Sequence, residues 1–264
     1  MPKLAANLST LFTEYKFLDR FEAAAGHGFK GVEVQFPYDW SIDAIAKQLM
    51  DHQLDIILLN APPGNAKDGD RGLAAIPGKE AEFSSSIQLA LRYASELSCP
   101  NIHVMAGIID GESNYCRAKT TFLNNLKLAA AMASEHNINL LIEPINNKRS
   151  IPGYFLTQVP EAKKLINEIN QRNIGLQFDL FHAQIMHGDL EKLINDNIDI
   201  TRHFQVAGLS ARQEPNLGEL NYKHLFNVID SLNYSGWIGC EYTPSNSTSS
   251  GLGWASDYGI TVES

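Results

Sequence analysis

At 264 residues the chain is longer than a typical single domain, yet it matches the roughly 250 residues that α/β barrels use as one unit. Its 44% hydrophobic and 19% charged composition is that of a soluble globular protein, and no segment reaches the roughly 18 consecutive apolar residues of a membrane span. A formal charge of −9 without clustered Lys and Arg argues against nucleic acid as a partner, and the scattered Cys99, Cys116 and Cys240, with no CxxC pair, argue against a disulfide framework or a structural zinc.

The N-terminal "MPKLAANLST" has no long apolar stretch and no signal-peptide cleavage pattern, so a cytoplasmic location is the expectation. Along the chain, short β-type runs alternate with helical patterns. The first runs are "LAANL" from Leu4 and "GVEVQF" from Gly31, followed by a helical stripe of Ile42, Ile45, Ala46 and Leu49 at i, i+3, i+4, i+7. "LDIILLN" from Leu54 leads into a turn-rich loop, Gly64 to Gly78, and then come "NIHVMAG" from Asn101 and "INLLIE" from Ile138. A second stripe, Val159, Ala162, Ile166 and Ile169, follows Thr157 and precedes "IGLQFD" from Ile174 and "RHFQVA" from Arg202. The third stripe is Leu225, Val228, Ile229 and Leu232, ahead of "WIGCEY" from Trp237 and a second turn-rich stretch, Pro244 to Gly253.

Strict alternation of strand and helix implies a parallel sheet, and eight such units in this length suit a closed (β/α)8 TIM barrel spanning residues 1–264 as one domain. No GxGxxG follows a strand, so no dinucleotide fingerprint is present.

Alternate strand residues face opposite sides, and the outward side of a barrel must pack against helices. Leu176 and Phe178 therefore oppose Gln177 and Asp179; Phe204 and Val206 oppose His203 and Gln205; Ile238, Cys240 and Tyr242 oppose Gly239 and Glu241. The polar set is expected to face the axis. Glu143, Asp179, Gln205 and Glu241 stand at or near strand ends, 36, 26 and 36 residues apart, about one β/α unit each. Four consecutive strands would then deliver three carboxylates and an amide oxygen to the C-terminal mouth, where residues of function lie in this fold. Carboxylates crowded together repel unless a cation joins them, and an all-oxygen set selects one hard divalent ion, magnesium or manganese before zinc. Taken singly, Asp179 also reads as the cap of a helix starting near Phe181, and Gln205 as a group satisfying buried backbone.

Several longer stretches carry a resemblance: "NLSTLFTEY", "RGLAAIPGKEAEF", "LLIEPIN" with "IPGYFL", "QFDLFHAQIMHGDL", "HFQVAGLSARQEPNLGELNY", and "GWIGCEYTP" before "GLGW". Nearly end to end, the chain resembles the hydroxypyruvate isomerase family within the xylose isomerase-like TIM barrels. The resemblance implies that Glu143, Asp179, Gln205 and Glu241 hold one divalent metal, that Glu143 and Glu241 also move protons, and that His182 in "DLFH" touches a substrate oxygen. Arg212 and Arg71 are the candidates for gripping an anionic substrate, because a guanidinium can bind a carboxylate through two parallel hydrogen bonds.

The expected substrate is a small 2-oxo-3-hydroxy acid such as hydroxypyruvate, converted through a cis-enediolate to tartronate semialdehyde. Four-carbon 2-oxo acids, or ketoses undergoing 3-epimerisation, are the alternatives that keep the same metal and glutamate pair. A non-catalytic barrel that binds sugar acids is the alternative of another class. A homo-oligomer is compatible with exposed barrel helices.

Overall fold

The computed structural model describes residues 1–109, 111 and 114–262. Each β-type run forms a strand: β1 Lys3–Asn7, β2 Gly31–Val34, β3 Asp55–Asn60, β4 Asn101–His103, β5 Asn139–Ile142, β6 Ile174–Asp179, β7 Thr201–Val206 and β8 Trp237–Cys240. Every strand pairs in parallel with its neighbours in sequence, and β8 returns to β1 with Ile238 opposite Leu4 and Cys240 opposite Ala6. The sheet is thus a closed eight-stranded barrel, as the β/α count predicts.

The three helical stripes become α2 Ile42–Asp51, α5 Val159–Ile169 and α8 Tyr222–Ser231, and local chemistry explains their bounds. Ser41 caps α2 by accepting from the Ala44 amide, and Asn221 caps α8 by accepting from His224. Pro160 sits in the first turn of α5, whose far end closes on Asn170 in the left-handed conformation. The other helices are α1 Asp19–Gly26, α3 Glu80–Glu96, α4 Tyr115–Ser134, α6 Leu180–Met186, α7 Leu190–Asn197 and α9 Thr248–Gly251. Among the described residues, no helix is long and apolar enough to cross a membrane.

The two faces of the sheet divide as period two requires. Leu176, Phe178, Phe204, Val206, Ile238 and Cys240 belong to the apolar core, with the Phe178 and Phe204 rings 5.5 Å apart on neighbouring strands. The axis is polar instead: Asn7, Glu33, His103, Gln177, His203 and Gln205 are all buried, and all but His103 bond to one another across it. Gly239 matters here, because a Cβ at that position would collide with the Glu33 carboxylate, which leans across the axis past it. Register shifts at Val32/Glu33 and at Leu176/Gln177 fall on two strands that feed this network.

Candidate active site at the barrel mouth

The four strand-end residues converge as spacing predicts. Asp179 is the last residue of β6 and lies opposite Gln205 in β7, which in turn lies opposite Gly239 in β8. Glu143 and Glu241 each follow the last residue of their strand by one. All four are buried. Pro144 after Glu143 lacks the amide that would extend the ladder, so β5 ends where its carboxylate is presented.

A chain of amides ties the two glutamates together. Gln177 Nε2 donates to Glu143 Oε2 at 3.1 Å and to Gln205 Oε1 at 2.6 Å. Gln205 Nε2 then donates to Glu241 Oε2 at 2.7 Å and to Glu33 Oε2 at 3.0 Å. The other Glu33 oxygen pairs with His203 Nε2. Both amides turn their nitrogen toward the acids, and Gln205 turns its oxygen toward Gln177. Gln205 therefore bonds side chains rather than backbone. Asp179 serves two purposes: Oδ1 caps α6 by accepting from the Phe181 amide at 2.8 Å, while Oδ2 lies 3.4 Å from Arg212 and 3.5 Å from His182 Nε2.

Arg212 enters from the loop after β7. Its backbone adopts a positive φ of 55°, its carbonyl accepts from Thr243 at 2.8 Å, and its guanidinium stacks 5.1 Å from the Phe181 ring. From there it pairs with Glu241 and Asp179. Glu143, Glu241, His182 and Arg212 line one cavity of about 170 Å³, together with Asn60, His103 and the apolar Phe36, Met105, Ile145 and Ile151.

Charge and burial oppose each other in this cluster. Burial, and then the charges of Glu241 and Asp179, push the Glu143 carboxyl well above its ordinary range. Burial lifts Asp179 as well, against the pull of Arg212. Glu241 is pushed up to about 7 by burial, again opposed by Arg212. Burial, with His182 and His203 nearby, drives His103 down to about 3, and burial with Arg212 lowers His182 well below the ordinary histidine value.

These shifts fix the sign of a stability trend. A carboxyl whose folded pKa is raised gives stability that is full below its ordinary 4.5 and lost as pH climbs through the folded value, about 7 for Glu241. The lowered histidines act in the opposite sense, but only below their ordinary 6.5. Above that pH the carboxyl contribution alone changes. Chelator-treated protein should therefore melt at a lower temperature at about pH 8 than at about pH 6.5, and added Mg²⁺ should recover most of the loss by replacing the proton. Thermal denaturation in chelator checks this, and a melting point that rises across that window would contradict it.

The residues fit a divalent cation. Three buried carboxylates face a single guanidinium, which leaves excess negative charge in a low-dielectric site, and every donor is an oxygen. Buried polar atoms in the same cluster, His103 Nε2, Gln177 Oε1 and Arg212 Nε, have no hydrogen-bond partner among the described residues. Glu143, Asp179 and His182 also bring one ligand atom each within 4.8 Å of one another, a tighter group than the four-oxygen set predicted from spacing. Gln205 Oε1 is occupied by Gln177 but keeps a second lone pair.

Of the predicted residues, Arg71 stands apart: it is exposed, its Nη1 donates to the Asp70 carbonyl at 2.8 Å, and it does not line the cavity. Its neighbour Gly72 bridges to Ala106, beside the cavity residue Met105, so the loop carrying Arg71 runs close to the mouth. Sequence reasoning placed Gln177 and His203 on the axis without giving them a part in the site, and it missed Glu33, His103 and Asn146. The period-two rule applied to β2 and β4 marks Glu33 and His103; nothing local marks the bond from Asn146 to His182.

Similarity to known proteins identifies the lineage. The xylose isomerase-like TIM barrel family model matches residues 21–258. A 2-oxo-tetronate isomerase of Cupriavidus necator is 45% identical over 98% of this chain and 99% of its own. The hydroxypyruvate isomerase of Escherichia coli is 42% identical over 98% of this chain and 100% of its own. A crystal structure from Brucella melitensis, titled AP endonuclease, family 2, superposes with a TM-score of 0.95 at 46% identity, covering 98% of this chain and 99% of that one. The chain therefore belongs to the xylose isomerase-like TIM barrels and, within them, to the hydroxypyruvate isomerase family.

Proposed function

We propose that this protein isomerises a short 2-oxo-3-hydroxy acid by moving a proton between C3 and C2, with hydroxypyruvate to tartronate semialdehyde as the simplest case. The observation that carries this reading is the lining of one small cavity by two buried carboxyls, Glu143 and Glu241, with Arg212 and His182 beside them. Glu143, Asp179, Gln205 and Glu241 would hold one divalent ion, magnesium or manganese, which when bound supplies Lewis-acid polarisation of the substrate carbonyl.

The chain's own groups perform the rest. Arg212 receives the substrate carboxylate, and His182 meets a substrate oxygen. Glu241 takes the C3 proton, so that the C–H electron pair becomes the C2–C3 double bond of a cis-enediolate. Glu143, protonated at the start, delivers its proton to C2 as the O3 proton passes to O2 and the aldehyde forms; exchange with solvent then returns Glu241 to the carboxylate and Glu143 to the acid. A carboxyl raised to about 7, as Glu241 is, both takes and releases protons at neutral pH. Phe36, Met105 and Ile151 on the cavity wall keep the intermediate from bulk water.

A four-carbon substrate is the second reading. It is favoured by the relatives named 2-oxo-tetronate isomerase, at 45% and 43% identity. The chemistry at C2 and C3 is the same, with a hydroxymethyl group added on C3. The cavity, about 170 Å³, is smaller than the roughly 300–1,000 Å³ pockets of drug-sized ligands, which suits three or four carbons better than a ketohexose. Steady-state assays with hydroxypyruvate, 2-oxo-tetronate and fructose test the assignment. Turnover of at least one acid, none of fructose, and complete loss in chelator with recovery on Mg²⁺ or Mn²⁺ is expected. Turnover of fructose alone would make the site an epimerase, and binding of the acids without turnover would make the chain a sugar-acid binding barrel.

A further inference from the structure

Asn146 lies three residues after Glu143, fully buried, where the chain leaves β5. Its Oδ1 accepts from the backbone amides of Arg149 at 2.9 Å and Ser150 at 3.2 Å. Two amide donors on one atom settle which end of the side chain is oxygen, since the reverse orientation would set an NH₂ group against two N–H groups. The Nδ2 end consequently donates, to Ser150 Oγ at 3.0 Å and to His182 Nδ1 at 2.6 Å.

The consequence falls on His182. A ring nitrogen that accepts from Asn146 carries no proton, so the imidazole is neutral and its one N–H is on Nε2. That nitrogen lies 3.5 Å from Asp179 Oδ2 and 3.7 Å from Glu143 Oε1, and His182 and Glu143 both line the cavity. A nitrogen with a proton in place has no lone pair for a cation. The compact Glu143, Asp179 and His182 group is therefore reduced, as a metal site, to its two carboxylates.

We propose that Asn146 is a positioning residue that locks His182 in the Nε2–H tautomer, making His182 a hydrogen-bond donor to an oxygen of the substrate and denying it to the metal. The function of that donor rests on the isomerase reading above; the lock itself does not. Glu143 and Asn146, from one strand end, then act as a pair: the first carries the proton and the second orients the imidazole beside it.

The test is a two-bond ¹H–¹⁵N correlation spectrum of ¹⁵N-histidine-labelled, Mg²⁺-loaded full-length protein without substrate, with His182 assigned by the signal lost in His182→Gln. The wild type should show Nδ1 as the unprotonated nitrogen and Nε2 as the protonated one. Asn146→Asp keeps an oxygen for the Arg149 and Ser150 amides and turns a second oxygen to Nδ1, so the His182 proton should move to Nδ1 while the fold is retained. A wild-type spectrum with the proton on Nδ1, or an Asn146→Asp spectrum unchanged from wild type, would overturn the proposal. Because no substrate is present, this result is independent of the turnover assays: a confirmed tautomer in a protein that turns over neither acid would remove the isomerase and leave the lock.

Discussion

Glu143→Gln and Glu241→Gln are each expected to lower kcat by about 10²–10⁴-fold, the range that a positioned general acid or base contributes. The amide keeps the size and shape of each side chain while removing the group that carries the proton. The Glu143 substitution should not weaken the metal-free fold, because burial, and then the charges of Glu241 and Asp179, push that carboxyl up, and a neutral amide relieves both. At Glu241 burial is opposed by Arg212, so the amide there also gives up an ion pair. Loss of turnover with unchanged or higher melting temperature in chelator is thus the expected signature of Glu143→Gln, read by steady-state kinetics beside thermal denaturation. Near-wild-type turnover in either variant, loaded with metal, would remove that glutamate from proton transfer.

Arg212→Met is expected to reduce kcat/KM for acidic substrates roughly 10- to 100-fold, the weight of a hydrogen bond to a charged group. Arg212→Lys should fall between the two, because it keeps the charge but loses the planar fork and its stacking on Phe181. Arg212 also offsets the acids around it, so in the methionine variant Glu241 and Asp179 lose the largest of the factors that hold their pKa values down against burial. The apparent pKa on the acidic limb of the rate profile should therefore move upward. The side chain is 31% exposed, and solvent screening tempers the accompanying loss of stability. An unchanged kcat/KM would transfer the carboxylate-binding role elsewhere, with Arg71 on the neighbouring loop the next residue to test.

The barrel was legible in the sequence because two periodicities reinforce each other. Alternation within "GLQFD" and "HFQVA" separates core from axis, and the recurrence of a β/α unit places Glu143, Asp179, Gln205 and Glu241 at one rim. Each of those four signals is local to its own strand. The bonds among them were not legible, since a contact such as Glu33 with His203 joins residues 170 positions apart across the axis. It depends on strand stagger and on the register shifts beside Glu33 and Gln177, which leave no mark in the hydrophobic pattern.

Arg71 illustrates the complementary limit. Its loop was recognisable from its turn residues, but the direction of its side chain depends on backbone turns at Gly69 and Gly72 that composition alone does not specify. Asn146 illustrates a third. The residue is plain in "LLIEPIN", yet its role follows only from which atoms it meets after the chain turns.

The proposed isomerisation depends most on one carboxyl taking the C3 proton while a second supplies C2 with another, and proton exchange observed by NMR tests that step directly. In deuterated water with Mg²⁺-loaded protein, hydroxypyruvate should lose its C3 proton signals to deuterium as tartronate semialdehyde appears, and 2-oxo-tetronate should do the same at its own C3. C3 signals that persist undiminished for both acids, beside correctly folded and metal-loaded protein, would rule out the proposed proton transfer.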